Sequence, residues 1–132
     1  MIANRIRMKS NVPEGGFQPG DLSFIDLLSD GAISNEEISP KTGPLYIEYI
    51  PIYIDSVTYI DFYQNGVIVA SFDLSAPSPT LQWTIDINSG DLLYFELGKN
   101  GPSFTYDEGS VEIRNENSTG VLIDSFNVSS VT

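Results

Sequence analysis

Carboxylates are the abundant reactive groups of this 132-residue chain: 18 Asp and Glu stand against six Lys and Arg, with no His and no Cys. Disulfides, thiolate nucleophiles, imidazole bases and nearly all zinc sites are thereby excluded. Carboxylates alone could bind calcium or serve as an acid–base pair. With Gly31 set at the sixth position of an EF-hand loop, Asp26 falls first, Asp30 fifth, apolar Ile33 eighth and Glu37 twelfth. The third position is then Leu28 and the ninth is Ser34, and no helix leads in, so the ligand set is short and no metal is expected. Glu36-Glu37 and Asp107-Glu108 could in principle supply an acid and a base, which glycosidases hold roughly 5 to 10 Å apart in a cleft. Adjacent strand residues point to opposite faces, however, and no nucleophile, base and orienter can be assembled from the types present. No catalytic residue, cofactor or enzymatic activity is expected. Ser34-Asn35-Glu36-Glu37 also has the capping-box spacing, which predicts a helical turn at residues 35–38.

The acids at 26, 30 and 37 begin within QPGDLSFIDLLSDG, residues 18–31, which supports three readings. Leu22, Ile25 and Leu28 recur every third residue behind an Asp21 cap, as in a short amphipathic helix. The acids suit the front of a calcium loop. Pro19, Gly20 and Gly31 equally well punctuate a strand and a turn.

The elements that must position these groups are strands. From Leu45 onward, apolar runs at 45–54, 57–64, 67–74, 80–87, 92–98, 103–106, 111–114 and 121–128 alternate with turn signals. Seven to eight such strands predict an all-β antiparallel sandwich or barrel. Asn65-Gly66 predicts a direct hairpin between 57–64 and 67–74. In TLQWTIDI, Leu81, Trp83, Ile85 and Ile87 share one face, and Trp83 is the leading core residue.

The hairpin raises a difficulty. With Gln64 opposite Val67, one face carries Ile60, Phe62, Val67 and Val69, and the other carries Tyr59, Tyr63, Ile68, Ala70 and Phe72. Both faces are apolar, so the second is covered by the N-terminal arm, corrected by a bulge, or buried against a partner subunit. Tyr59, Tyr63, Ile68 and Phe72 are therefore candidate interface or glycan-facing residues, because tyrosine offers rigid area with a polar tip.

Before residue 45 the texture is rich in Pro and Gly, and residues 1–44 read as an extended arm ahead of a 45–132 sandwich domain. Arg5, Arg7 and Lys9 lie in the first ten residues, which contain no acid, so 18 acids against three bases leave −15 on the remaining chain. An anionic body repels nucleic-acid phosphates and anionic lipid, and neither is an expected partner. The basic tip suits an acidic protein neighbour. The first residues lack the apolar run of a signal peptide, and export by that route is not expected.

The stretch VTYIDFYQNGVIVASFDLSAPSPTLQWTIDINSGDLLYFEL resembles bacterial Ig-like domains at Ile60, Phe62, Tyr63, Asn65, Gly66, Pro77, Trp83 and Gly90. The resemblance implies an Ig-like β-sandwich, and says little of function, since such domains occur on glycosidases, adhesins and phage virions. NRIRMKSNVPEGGFQPGDLSFIDLLSDGAI resembles the start of phage fibre proteins: Arg5, Ile6, Lys9, Pro19, Gly20, Asp21, Leu22, Ser23, Asp30 and Gly31 occupy matching places, while IDLLS lengthens the link before Asp-Gly. That resemblance implies a virion-proximal attachment segment using Arg5, Arg7, Lys9, Pro19, Gly20, Asp21 and Leu22, often in trimers. It further implies a homo-oligomeric structural protein made in the host cytoplasm and carried on the virion surface, bound to capsid, portal, tail or fibre proteins. The alternative is a carbohydrate-binding module that reads host glycans through its tyrosine face.

Overall fold

The structure, a computed structural model, describes residues 16–53, 58–99 and 106–131. Eight strands form there: β1 (Glu37–Ile38), β2 (Gly43–Tyr53), β3 (Thr58–Gln64), β4 (Val67–Asp73), β5 (Gln82–Ile87), β6 (Leu92–Lys99), β7 (Tyr106–Asn115) and β8 (Leu122–Val131). They make two four-stranded antiparallel sheets, ordered β1-β6-β3-β4 and β5-β2-β7-β8. The expected all-β sandwich is present. Its last runs differ from the sequence expectation, because 106–115 is one ten-residue strand. Gly109 allows that continuity: a Cβ there would lie 2.5 Å from the Ile50 carbonyl and 2.6 Å from Tyr49 Oη.

Pairings β3·β4, β2·β5 and β1·β6 are nested around a single turn, so residues 37–99 are one long hairpin folded over on itself. Strand β7 then slots beside β2. Such rolled nesting is the jelly-roll arrangement. The last two strands, β7 and β8, lie side by side in one sheet, as those of an immunoglobulin sandwich also do; the pairing order establishes a β-sandwich and does not identify an immunoglobulin one.

The central turn is the one the sequence predicts. Asn65 (φ 54°) and Gly66 (φ 82°) both take positive φ, and Gln64 faces Val67. Between Phe62 and Tyr63 the register slips by one, leaving Val69 as the extra residue. Beyond it Phe62 faces Ala70 and Ile60 faces Phe72. This β-bulge answers the two-face difficulty: it turns Ala70 and Phe72 onto the core side with Ile60 and Phe62.

The core is drawn from both sheets and from the segment ahead of β1. Phe17, Leu22, Phe24 and Leu27 are all buried. These four residues, which precede the boundary expected at residue 44, thus pack in the same core as the strands. Phe24 meets Phe95 of one sheet edge-on (5.0 Å, 83°) and Phe126 of the other (6.2 Å), while Phe95 contacts Phe62 (4.7 Å) and Phe126 (5.0 Å). Trp83 sits at the rim, half-buried, because β5 is an edge strand. Its indole N–H donates to the Ser71 carbonyl on the edge of β4 (2.9 Å), tying the two sheets on that side.

On the opposite side the sandwich is closed by residues 22–36, the stretch that supported three readings. It is neither helix nor calcium loop. Leu22 and Phe24 alternate inward as in a strand, while Ile25 (58% exposed) and Leu28 (59%) of the expected helical stripe face solvent. Leu27 N–H donates to the Asn127 carbonyl and Ser129 N–H to the Leu27 carbonyl, so the chain runs parallel to β8. A turn at 29–32 with Gly31 at φ 84° carries it to the other sheet, where Gly31, Ala32 and Ser34 bond the backbone of Leu97 and Phe95. No helical turn forms at 35–38, because these residues find better partners. Asn35 Oδ1 accepts from Ile25 N–H (2.8 Å) and its Nδ2 donates to the Ser23 carbonyl (2.8 Å), so one side-chain amide replaces a strand neighbour. Ser34 Oγ accepts from Phe95 N–H (2.9 Å) and Glu37 enters β1.

Candidate functional site

The outward face of the β1-β6-β3-β4 sheet gathers most of the singled-out side chains. Directly opposed residues of an antiparallel pair share a face. Across β3 and β6 the outward pairs are Tyr59 with Gly98, Asp61 with Glu96, and Tyr63 with Tyr94. Across β3 and β4 they are Tyr59 with Asp73, Asp61 with Ser71, and Tyr63 with Ile68. Ile33 opposite Glu96 and Ile38 opposite Leu92 extend the face toward the sheet edge.

Each tyrosine is held by its neighbours. Tyr63 stacks on Tyr94 at 4.5 Å with planes 9° apart, and its hydroxyl donates to Glu96 Oε1 (2.7 Å). That hydrogen bond, then burial, then the negative charges of Glu96 and Asp61, drive the Tyr63 phenol far above its usual range. Tyr59 lies over Gly98, where a Cβ would stand 2.0 Å from the ring, so the glycine makes the seat. Burial, then Glu96, Asp61 and Asp30, raise the Tyr59 phenol as well.

Asp61 is buried beneath these rings and accepts from Ser71 Oγ (2.6 Å). Burial raises its pKa; the Ser71 hydrogen bond opposes that, and the Glu96 and Asp73 charges add to it. Among the described side chains, the cations Lys41 and Arg114 both serve elsewhere. Lys41 pairs with Asp21 (2.9 Å) and donates to the Gly16 carbonyl, and Arg114 pairs with Glu112 (3.2 Å) and donates to the Gly120 carbonyl. The face is therefore aromatic and anionic, suited to a cationic or amphipathic ligand.

No protein-family model, curated protein or solved structure matches this chain.

Of the residues expected on an interface or glycan face, Tyr59 and Tyr63 (half-buried) and Ile68 (48% exposed) share the outer surface. Phe72 does not; the bulge places it wholly in the core. Among the expected attachment residues, Arg5, Arg7 and Lys9 lie outside the described residues. Pro19 and Gly20 (φ 91°) form a turn closed by Asp21 N–H to the Gln18 carbonyl, with Gln18 N–H donating back to Asp21 Oδ2. Leu22 follows into the core. These four seat the segment on its own sandwich. The acids of the calcium reading are likewise used locally: Asp26 accepts from Asn127 N–H (2.8 Å) and Glu37 from Ser23 N–H (3.3 Å). Tyr94, Glu96 and Gly98 were missed, although their signal is present. In LLYFELG the alternation puts Leu93, Phe95 and Leu97 on one side and these three on the other.

Proposed function

We propose that the chain is a non-enzymatic structural protein of a bacteriophage virion, a head or tail fibre or capsid decoration protein. The N-terminal segment bearing Arg5, Arg7 and Lys9 attaches it, and the acidic sandwich projects outward. The observation that carries this reading is the segregation of charge: Arg5, Arg7 and Lys9 precede Phe17, the first buried residue among those described, whereas Lys41 and Arg114, two of the three later cations, are held in ion pairs within the body. The resemblance of the N-terminal segment to phage fibre proteins supplies the virion. The Ig-like resemblance is retained as a local pattern over β3 to β6, and the jelly-roll nesting is compatible with the same class, since jelly rolls build capsid and lectin domains alike.

The test is incorporation. Arg5→Glu/Arg7→Glu/Lys9→Glu should leave the melting profile unchanged while the protein no longer enters particles; normal incorporation of that variant refutes the reading. Glycan recognition through the tyrosine face is a second reading, favoured by the Tyr63–Tyr94–Glu96 cluster. A glycan array with Tyr59→Ala and Tyr63→Ala controls decides it.

A further inference from the structure

The outer face of the β1-β6-β3-β4 sheet has the opposite character to the first ten residues of the same chain. The face presents Glu96, Tyr59, Tyr63 and Tyr94 above the buried Asp61, rimmed by the exposed Ile38 and Ile68. Residues 5–9 read Arg-Ile-Arg-Met-Lys, so every second residue is a cation. In an extended segment, Arg5, Arg7 and Lys9 would span about 13 Å on one side, the same repeat as outward residues 59, 61 and 63 along β3. Guanidinium groups both stack on tyrosine rings and pair with carboxylates. Copies carrying a net charge of −12 repel one another unless opposite charges are brought together locally.

We propose that the cationic segment of one copy docks on this tyrosine–carboxylate face of a second copy. The contact is head-to-tail, so it closes into a ring or continues as a chain, instead of forming a two-fold dimer. The inference rests on the attachment reading and names the partner of the attaching segment: the next copy in the assembly.

Sedimentation of the full chain tests it, with two variants chosen to keep the core intact. One reverses the segment (Arg5→Glu/Arg7→Glu/Lys9→Glu). The other adds charge to the face at its exposed positions, Ile38 (61% exposed) and Ile68 (48%), as Ile38→Lys/Ile68→Lys, and leaves the Tyr63–Glu96 bond alone. The unaltered chain should self-associate, at least about tenfold more weakly in roughly 500 mM salt than in 50 mM, as expected for partly exposed ion pairs. Each variant alone should be monomeric. Mixed, they should form one-to-one pairs, because one retains a native face and the other a native segment. A monomeric unaltered chain, a segment variant that associates as the unaltered chain does, or a mixture that stays monomeric overturns the inference; the last outcome is the one expected if the segment folds back on its own body. A tyrosine-dependent glycan signal without self-association also overturns it. If the unaltered chain is monomeric while the segment variant still fails to enter particles, this inference falls and the attachment reading stands.

Discussion

Phe24→Ala isolates the contribution of the closing segment. The ring is buried between the two sheets, edge-on to Phe95 at 5.0 Å and within 6.2 Å of Phe126, and no other residue of 22–36 makes aromatic contact with both sheets among the described residues. Truncating a buried Phe costs about 3–5 kcal/mol, because the transfer term and an unfilled cavity add. A domain of this size is stable by roughly 5–15 kcal/mol in total, so the change removes from about a fifth of the margin to all of it. The melting temperature should fall by roughly 10–20 °C. Urea unfolding followed by the fluorescence of Trp83, the single tryptophan, measures it. Ile25→Ala, one residue away and 58% exposed, is the control and should change stability by no more than about 0.5 kcal/mol. Deleting residues 1–15 should leave the transition cooperative, whereas deleting 1–44 should abolish it by removing Phe17, Leu22, Phe24 and Leu27 together. A loss below about 1 kcal/mol for Phe24→Ala, or a cooperative transition in the 1–44 deletion, would refute the view that the segment is integral to the fold.

Asn35→Ala should cost about 1–3 kcal/mol by orphaning Ile25 N–H and the Ser23 carbonyl; Asn35→Asp should cost more, since it loses the donor and faces Glu37, and equal stability of the two in urea melts would contradict the strand-substitute role. Asp61 and Asp124 are both raised by burial, with hydrogen bonds from Ser71 to the first and from Phe24 and Ser125 to the second opposing that, so the folded state holds their protons more tightly than the unfolded chain. Their linkage therefore makes stability rise as pH is lowered from neutrality through their folded pKa values toward the unfolded value near 4. Asp91, lowered by hydrogen bonds from Asn65, Asn88 and Gln64, acts in the other direction and loses its contribution below that value. Asp61→Asn should raise stability at pH 7 and flatten the neutral-to-acid slope, and a slope parallel to the unaltered protein's would sink the assignment. Gly109→Ala meets the Ile50 carbonyl at 2.5 Å and should cost about 1–3 kcal/mol, more than Gly98→Ala, which meets only the movable far end of the Tyr59 ring; thermal melts of the pair in the reverse order would refute the comparison.

Local chemistry made part of this fold legible. Asn65-Gly66 specified its own turn, and the alternation of Leu81 to Ile87 specified the facing of β5, because both depend on residues a few positions apart. Strand order depends on which runs meet across long loops, and the nesting of β1 with β6 and β2 with β5 leaves no mark at any single residue. The bulge at Val69 was legible only as a contradiction, two apolar faces where one was needed. Trp83 was misjudged for a related reason: alternation fixes a face, but whether that face lies over the centre or the rim follows from the strand's place in the sheet. At 34–37 the capping-box spacing was real, yet Ser34, Asn35 and Glu37 spend those side chains on Phe95, Ser23 and Ile25. Of the candidate surface, Tyr59, Tyr63 and Ile68 came from the hairpin alone, while Glu96 and Tyr94 joined them through the pairing of β3 with β6.

The parallel contact of Leu27 with Val128 also bears on how the chain is made. Asp26 and Asn127 are bonded across 101 residues, so the segment that leaves the ribosome early lacks its β8 partners until the final strand exists. At roughly 5–20 residues per second, the apolar side chains of Phe17, Leu22, Phe24 and Leu27 wait about 5–20 s for their partners. Contacts this distant in sequence also favour slow closure after release. The interval gives neighbouring nascent chains time to meet before any of them has shut its sandwich.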